Sequence, residues 1–190
     1  DIVIELLIVS NAYLERAVLD RAADLALVRL PTENEGLDIT PLLEAEGVCV
    51  MPPGHPLSHK AVVDITDLRG VPLVMLGRQR ALRAELDLLL RGARVAPQVR
   101  VEVHSVSAAC AFVAEGVGVS IVNAFLVSLF SDLPIITRPF RPRLPHAFGL
   151  IARHGQPRSR ALESFAEYLR EELARAAHVF ENTRDQAAEK

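Results

Sequence analysis

Apolar positions along this chain recur either at every second residue or at every third and fourth, and the changes of spacing predict its elements. Asp1–Val9 carries β-branched residues in a partly alternating pattern, which predicts a strand. Asn11 is placed to cap a helix whose apolar face is Leu14, Ala17, Val18 and Ala22, and Leu25–Leu30 predicts a second strand. Strand, helix and strand with short joints predict a βαβ unit of parallel strands. Leu37–Leu43 and Gly47–Met51 predict two short strands, Asp64–Gly70 a helical turn capped by Asp64, and Val71–Leu76 a buried strand. Gly77 then opens a helix over Arg78–Arg91, with Leu82, Leu86, Leu89 and Leu90 on its buried face.

The stretch Val101–Asn123, VEVHSVSAACAFVAEGVGVSIVN, reads as a buried strand, a short helix and a second buried strand. Ala108, Ala109, Phe112, Val113 and Gly116 recur at helical spacing, and Ser105 or Ser107 supplies an N-cap oxygen. Gly116 and Gly118 end the helix and turn the chain into Val119–Val122. Strand ends and a helix N-terminus meet here, as they do where open α/β sheets bind small molecules. After it come a helical turn at Ala124–Phe130 and strands at Leu133–Arg138 and His146–Ala152. A long helix opens at Gln156–Ser159, keeps Leu162, Phe165, Ala166, Leu169 and Leu173 on one face, sets Arg158 towards solvent and frays from Asn182.

Pro52–His59 (PPGHPLSH) and Phe140–Pro145 (FRPRLP) continue neither helix nor sheet, so they mark two crossings between two lobes. The expected boundaries put residues 1–53 and 143–190 in the first lobe and 54–142 in the second. A length of 190 residues suffices for this, and 50% apolar with 24% charged residues is the balance of a globular protein. No apolar run reaches the ~20 residues of a membrane-spanning helix. The opening has no basic region or cleavage site of a signal peptide, and a first residue other than Met is expected of a portion of a longer chain.

Two cysteines in apolar surroundings, Cys49 and Cys110, give no disulfide framework and fit a reducing, cytoplasmic setting. A net charge of −3 argues against a nucleic-acid surface on this portion. The six histidines are scattered without Cys or carboxylate at ligand spacing, so no metal and no cofactor is expected. Ser120 lacks the flanking glycines of a nucleophile elbow, and Gly116 and Gly118 follow a helix rather than a strand, against a hydrolase and a dinucleotide fingerprint.

Four segments in this order, LALVRLP (Leu25–Pro31), VCVMPPGHPLS (Val48–Ser58), DLRGVPLVMLG (Asp67–Gly77) and FVAEGVGVSIVN (Phe112–Asn123), resemble the effector-binding domain of LysR-type transcriptional regulators. The G-H-P-L turn at Gly54–Leu57 and the run Val113–Ile121 carry most of the likeness, while Met75–Arg78 and Ser120–Asn123 look most like members that respond to opines or basic amino acids. The resemblance implies an α/β fold of two Rossmann-like lobes, similar to periplasmic binding proteins, with two crossovers and an effector in the cleft. It also implies a winged helix-turn-helix and linker helix outside this portion, and a first strand and helix of the effector domain that are missing from it. A homodimer or tetramer through this domain, and promoter DNA bound only through the N-terminal domain, follow from the same likeness.

Candidate site residues follow. Arg78, with Arg80 and Arg83, places cations at a helix start, where the macrodipole disfavours each by roughly 0.3–1 kcal/mol. An anionic effector group would repay that, and a solvated arginine face is the plainer account. By resemblance Gly77 and Gln79 join Arg78 where effector contacts arise. Ser105 and Ser107 cap a helix whose spare N–H groups suit a carboxylate. Asn123 either meets a ligand with its amide or ties down the next turn. Arg29, Pro31 and Thr32 close the strand on the other lobe, with an ordinary loop as the plainer account of Thr32. The expectation is a ligand sensor that controls transcription and catalyses nothing. A free-standing solute-binding protein and an α/β enzyme are the alternatives, and no convergent acid–base or nucleophile set supports the latter.

Overall fold

The computed structural model describes residues 3–9, 11–155, 157 and 159–188, with side chains up to Arg175. Gln156 and Arg158, assigned above to the start of the last helix, lie outside the described residues, as do Asp1 and Ile2 of the first strand. The chain divides into two compact units, Asp1–Glu44 with His146–Ala187, and Ala45–Pro145. Both divisions differ from the expected 53/54 and 142/143. The first falls inside a continuous strand, and Pro52–His59 belongs wholly to the second unit as a turn with a 3₁₀ segment at Pro56–His59.

In the first unit, α1 (Asn11–Leu19) precedes β1 (Ala26–Leu30), and β8 (Pro145–Arg153) lies between β1 and β2 (Leu37–Met51). The expected parallel βαβ unit does not form. β1 pairs antiparallel with β8, from Ala26 opposite Ile151 to Leu30 opposite Ala147. Residues 3–9 form no strand, and Val3, Leu6 and Ile8 are each more than three-quarters exposed. β-propensity alone cannot hold a strand whose backbone groups find no neighbour. Val18, Ala26, Val28, Leu37 and Ile151 make the small core. α5 (Arg160–Ala188) runs past the point at which its apolar pattern fades.

The second unit carries the larger core. β4 (Pro72–Leu76) runs parallel to β5 (Gln98–Val103) and bridges in parallel to Val119, the residue before β6 (Ser120–Asn123). β6 and β7 (Ile136–Arg141) flank the second half of β2, both antiparallel to it, and β3 (Val63–Asp64) lies beyond β7. β4 is apolar throughout because both faces are covered, as parallel strands require. α2 (Ala81–Gly92) buries Leu82, Leu86 and Leu90, one turn apart, and packs on β4. α3 (Val106–Ala114) packs on β4, β5 and β6, and α4 (Ala124–Ser128) follows β6 at once.

Cys49 and Cys110 are both fully buried in this core. Burial pushes the Cys49 thiol up to about 12, with nearby Asp67 adding to it, and the Cys110 thiol up to about 11. Both remain thiols at neutral pH, so the reactive thiolate is scarce. Native protein at pH 8 should therefore label with a thiol reagent at under roughly a hundredth of the rate of the urea-unfolded chain, which titrates two thiols. Fast labelling without denaturant would contradict this burial. Among the described residues no helix is long and apolar enough to cross a membrane.

Candidate effector site

The local sequence dictates three strand ends. β4 stops at Leu76 because Gly77–Arg80 folds into a turn, closed by the Arg80 N–H donating to the Gly77 carbonyl at 2.9 Å. The helix starts later than expected, so Arg78 and Gln79 stand in this turn rather than in α2. Both are exposed. Gly77 is buried, its N–H donates to Val103 O at 2.8 Å, and a Cβ there would lie 2.5 Å from His104 Nδ1. An added side chain there would have to displace the exposed His104 imidazole.

β5 ends at Val103, and Ser105 caps α3, its hydroxyl accepting from the Ala108 N–H at 3.1 Å. The Ser105 and Ser107 hydroxyls are 2.9 Å apart, and both residues are exposed. One capping oxygen leaves other first-turn N–H groups of a nine-residue helix facing outward. β6 ends at Asn123, which is 4% exposed. Its Oδ1 accepts from the Leu126 N–H at 3.0 Å and caps α4, while its Nδ2 is buried with no hydrogen-bond partner. Ser120, on the same strand, also has a buried hydroxyl without a partner. The two plain roles read from sequence, Ser105 as cap and Asn123 as tie for the next turn, are thus both present. Neither uses up the residue's hydrogen-bonding capacity.

β4, β5 and β6 run the same way, so Gly77–Gln79, His104–Ser107 and Asn123 all stand at carboxyl ends of parallel strands. Two contacts join the first two segments directly: His104 lies on Gly77, and Arg80 Nη2 donates to His104 O at 2.7 Å. Neither Arg78 nor Arg80 pairs with a carboxylate among the described residues, whereas Arg83 is paired with Asp87 and Glu102. Arg80, Arg83 and His104 were legible only as a cationic helix start and one scattered histidine. The clue to them is a cation at the N-cap and third helical positions, where neither caps nor suits the dipole.

Arg29, Pro31 and Thr32 belong to the other unit. The Arg29 Nε donates to His146 Nδ1 at 3.0 Å, and its backbone bonds both ways with the Asn11 side chain, at 2.7 and 3.3 Å. Asn11 thus acts as a strand-edge partner of β1. Pro31 is exposed and Thr32 half-buried. A cavity of about 320 Å³ elsewhere in the second unit is lined by Glu85, Leu88, Leu89, Arg143, Leu144 and Pro145. Its wall is mostly leucine and proline, and Arg143 there is already bonded to Glu46, so it offers a polar ligand little. Among the described residues no group of three or more His, Cys, Asp or Glu is placed to hold a metal ion.

The family profile described as the LysR substrate binding domain matches residues 1–174. This chain belongs to that family. The transcriptional activator protein LysR of Escherichia coli (strain K12) is 34% identical over 146 residues, 77% of this chain and 47% of that protein. The regulatory protein NocR of Agrobacterium tumefaciens (strain T37) is 33% identical over 150 residues, 79% of this chain and 50% of that protein. This LysR substrate-binding domain therefore spans about half the length of the curated relatives it matches. The regulatory domain of CcmR from Synechocystis PCC6803, solved in complex with 2-PG, superposes with a TM-score of 0.70 at 22% identity, over 85% of this chain and 79% of that one. That likeness establishes the α/β, periplasmic-binding-protein-like fold of the family in this domain.

Proposed function

We propose that this domain senses a small carboxylate-bearing effector, amino-acid or opine-like, and that the binding event controls transcription through a DNA-binding domain elsewhere in the protein. The observation that carries it is the buried, unpartnered Asn123 Nδ2 at the end of the third parallel strand. A buried amide donor without an acceptor is costly unless something fills the place. Arg78, the Ser105–Ser107 pair and the α3 N-terminus offer further donors on the neighbouring strand ends, while Gly77 and Gln79 shape the turn. Arg29, Pro31 and Thr32 stand in the first unit and are proposed as effector contacts on the sequence likeness alone. The relatives are regulators by name, and the reading includes no catalytic step.

An effector changes regulation only by binding one arrangement of the protein better than another. In this reading those arrangements are those of a homodimer or tetramer in the cytoplasm, with promoter DNA held outside this domain. A thermal-shift screen against amino acids, opines and small carboxylates tests the first step. An effector at a hundredfold its Kd adds about 2.7 kcal/mol, or roughly 5–10 °C for a domain of this size. Arg78→Ala or Ser107→Ala should remove most of that shift without lowering the unliganded Tm appreciably. No shift with any of these ligands would sink the sensor reading.

A further inference from the structure

Two arginines stand where helix energetics argue against them. Arg80 occupies the N-cap of α2, a place favouring Ser, Thr, Asp or Asn, and makes no side-chain cap bond there. Arg83 occupies the third helical position, where a carboxylate suits the dipole and a cation does not. Arg83 is moreover only 6% exposed. A buried ion network is seldom the most stable filling of a core, since apolar residues of similar volume often serve as well or better. What both side chains do instead is join strand ends.

The Arg83 Nη1 donates to Leu76 O at 2.7 Å, the last carbonyl before the Gly77 turn, and to Glu102 Oε2 at 3.2 Å on β5. Its Nε meets both carboxylate oxygens of Asp87 at 3.0 Å, which fixes the plane of the guanidinium. One turn earlier Arg80 Nη2 holds His104 O, the carbonyl preceding the Ser105 cap. α2 thereby grips β4 at its end and β5 just before and just after its end. The two segments so held are those that carry Gly77–Gln79 and Ser105–Ser107.

We propose that Arg83 and Arg80 are a positioning pair that fixes the Gly77–Gln79 turn against the His104–Ser107 segment at the spacing the effector requires. The proposal rests on the effector reading above. Neither residue need touch the effector. A lysine cannot replace Arg83, because one ammonium cannot reach three partners in a plane.

Amide hydrogen exchange and thermal-shift titration test it on Arg83→Met, on the surface variant Arg80→Ala, and on Leu90→Ala, a truncation in the core of the same helix that destabilises without touching the network. The probes are L-lysine and octopine. Arg83→Met should speed exchange at Gly77, Arg80 and Ala108 at least tenfold while the middle of β4 stays protected. It should also raise the half-saturating probe concentration at least tenfold. Arg80→Ala should do both to a lesser degree, and Leu90→Ala should lower Tm while leaving the three amides and the probe titration unchanged. Acceleration spread evenly over β4, β5 and α3 in Arg83→Met overturns the proposal, because the arginine is then only a structural brace. Local loosening with unchanged probe titration also overturns it. If neither probe stabilises the unsubstituted protein, the effector reading is what has failed for those ligands, and the exchange pattern still decides whether the pair holds the two segments.

Discussion

Gly118→Ala should lower the Tm by roughly 6–12 °C, corresponding to about 3 kcal/mol for a domain of this size. A Cβ at this position would overlap the Pro72 carbonyl oxygen and lie 2.7 Å from its carbon and 3.2 Å from Leu73 N. All three are backbone atoms, so no rotamer change clears them. The segment cannot simply retreat either, because the Val119 N–H donates to Pro72 O and the Val74 N–H to Val119 O, each at 2.9 Å. Retreat would break both bonds, each worth about 1 kcal/mol net, and overpacking adds about 1–3 kcal/mol where the chain stays put. These bonds also join β4 to β6, so the damage falls on the sheet that aligns the three strand ends. Gly92→Ala is the matched control: nothing lies within 4 Å of its added methyl, and its Tm should stay level or rise slightly. Equal melting of the two variants would contradict the packing described at Gly118.

Where local signals and tertiary neighbours agreed, the sequence was readable. The leucines of α2, the Ser105 cap, the Gly116 exit at φ 74° and the all-apolar β4 each specify one structure without knowledge of what lies opposite. Residues 3–9 show the reverse case, because an alternating pattern states what a strand would bury but not whether a neighbour exists to pair with it. Leu37–Met51 misled in the other direction. Residues 44–46 were expected to separate two strands, yet one strand runs through them with Glu44 exposed and Ala45 buried. Gly47 is there for close approach: its N–H donates to Leu144 O at 2.8 Å and a Cβ would lie 3.0 Å from Leu144 Cβ.

The candidate site divides in the same way. Arg78, Ser105, Ser107 and Asn123 were accessible to sequence because strand ends and caps are local features, Gly77 and Gln79 only through the family likeness, and the fold places all six at ends of parallel strands. Arg83 and Arg80 were not, since their partners Leu76, Glu102 and His104 lie 7, 19 and 24 residues away. A cation in a first helical turn looks alike from sequence whether it faces solvent or spans two strands. The bonds made by Arg80 and Arg83, with the burial of Arg83, distinguish them.

Asn123→Asp should weaken a carboxylate-bearing effector by about 100-fold or more, and it separates the ligand role of this residue from its capping role. Aspartate is as good an N-cap as asparagine, so the oxygen accepting from the Leu126 N–H is kept and α4 remains anchored. What changes is the other atom of the side chain. The unpartnered Nδ2, a donor of two hydrogens, becomes a carboxylate oxygen that only accepts. A hydrogen bond to a charged group contributes about 1.5–3 kcal/mol, and each 1.4 kcal/mol is tenfold in affinity, before the repulsion of two carboxylates is counted. Asn123→Ala removes the donor without adding that repulsion, so it should weaken the same effector less, by roughly 10–100-fold, while losing about 1 kcal/mol of capping. The order of affinities, Asn above Ala above Asp, identifies the group facing position 123 as an acceptor. If Asp binds as tightly as Asn or tighter, that group is a donor such as an amine, and the carboxylate must be sought elsewhere on the strand ends.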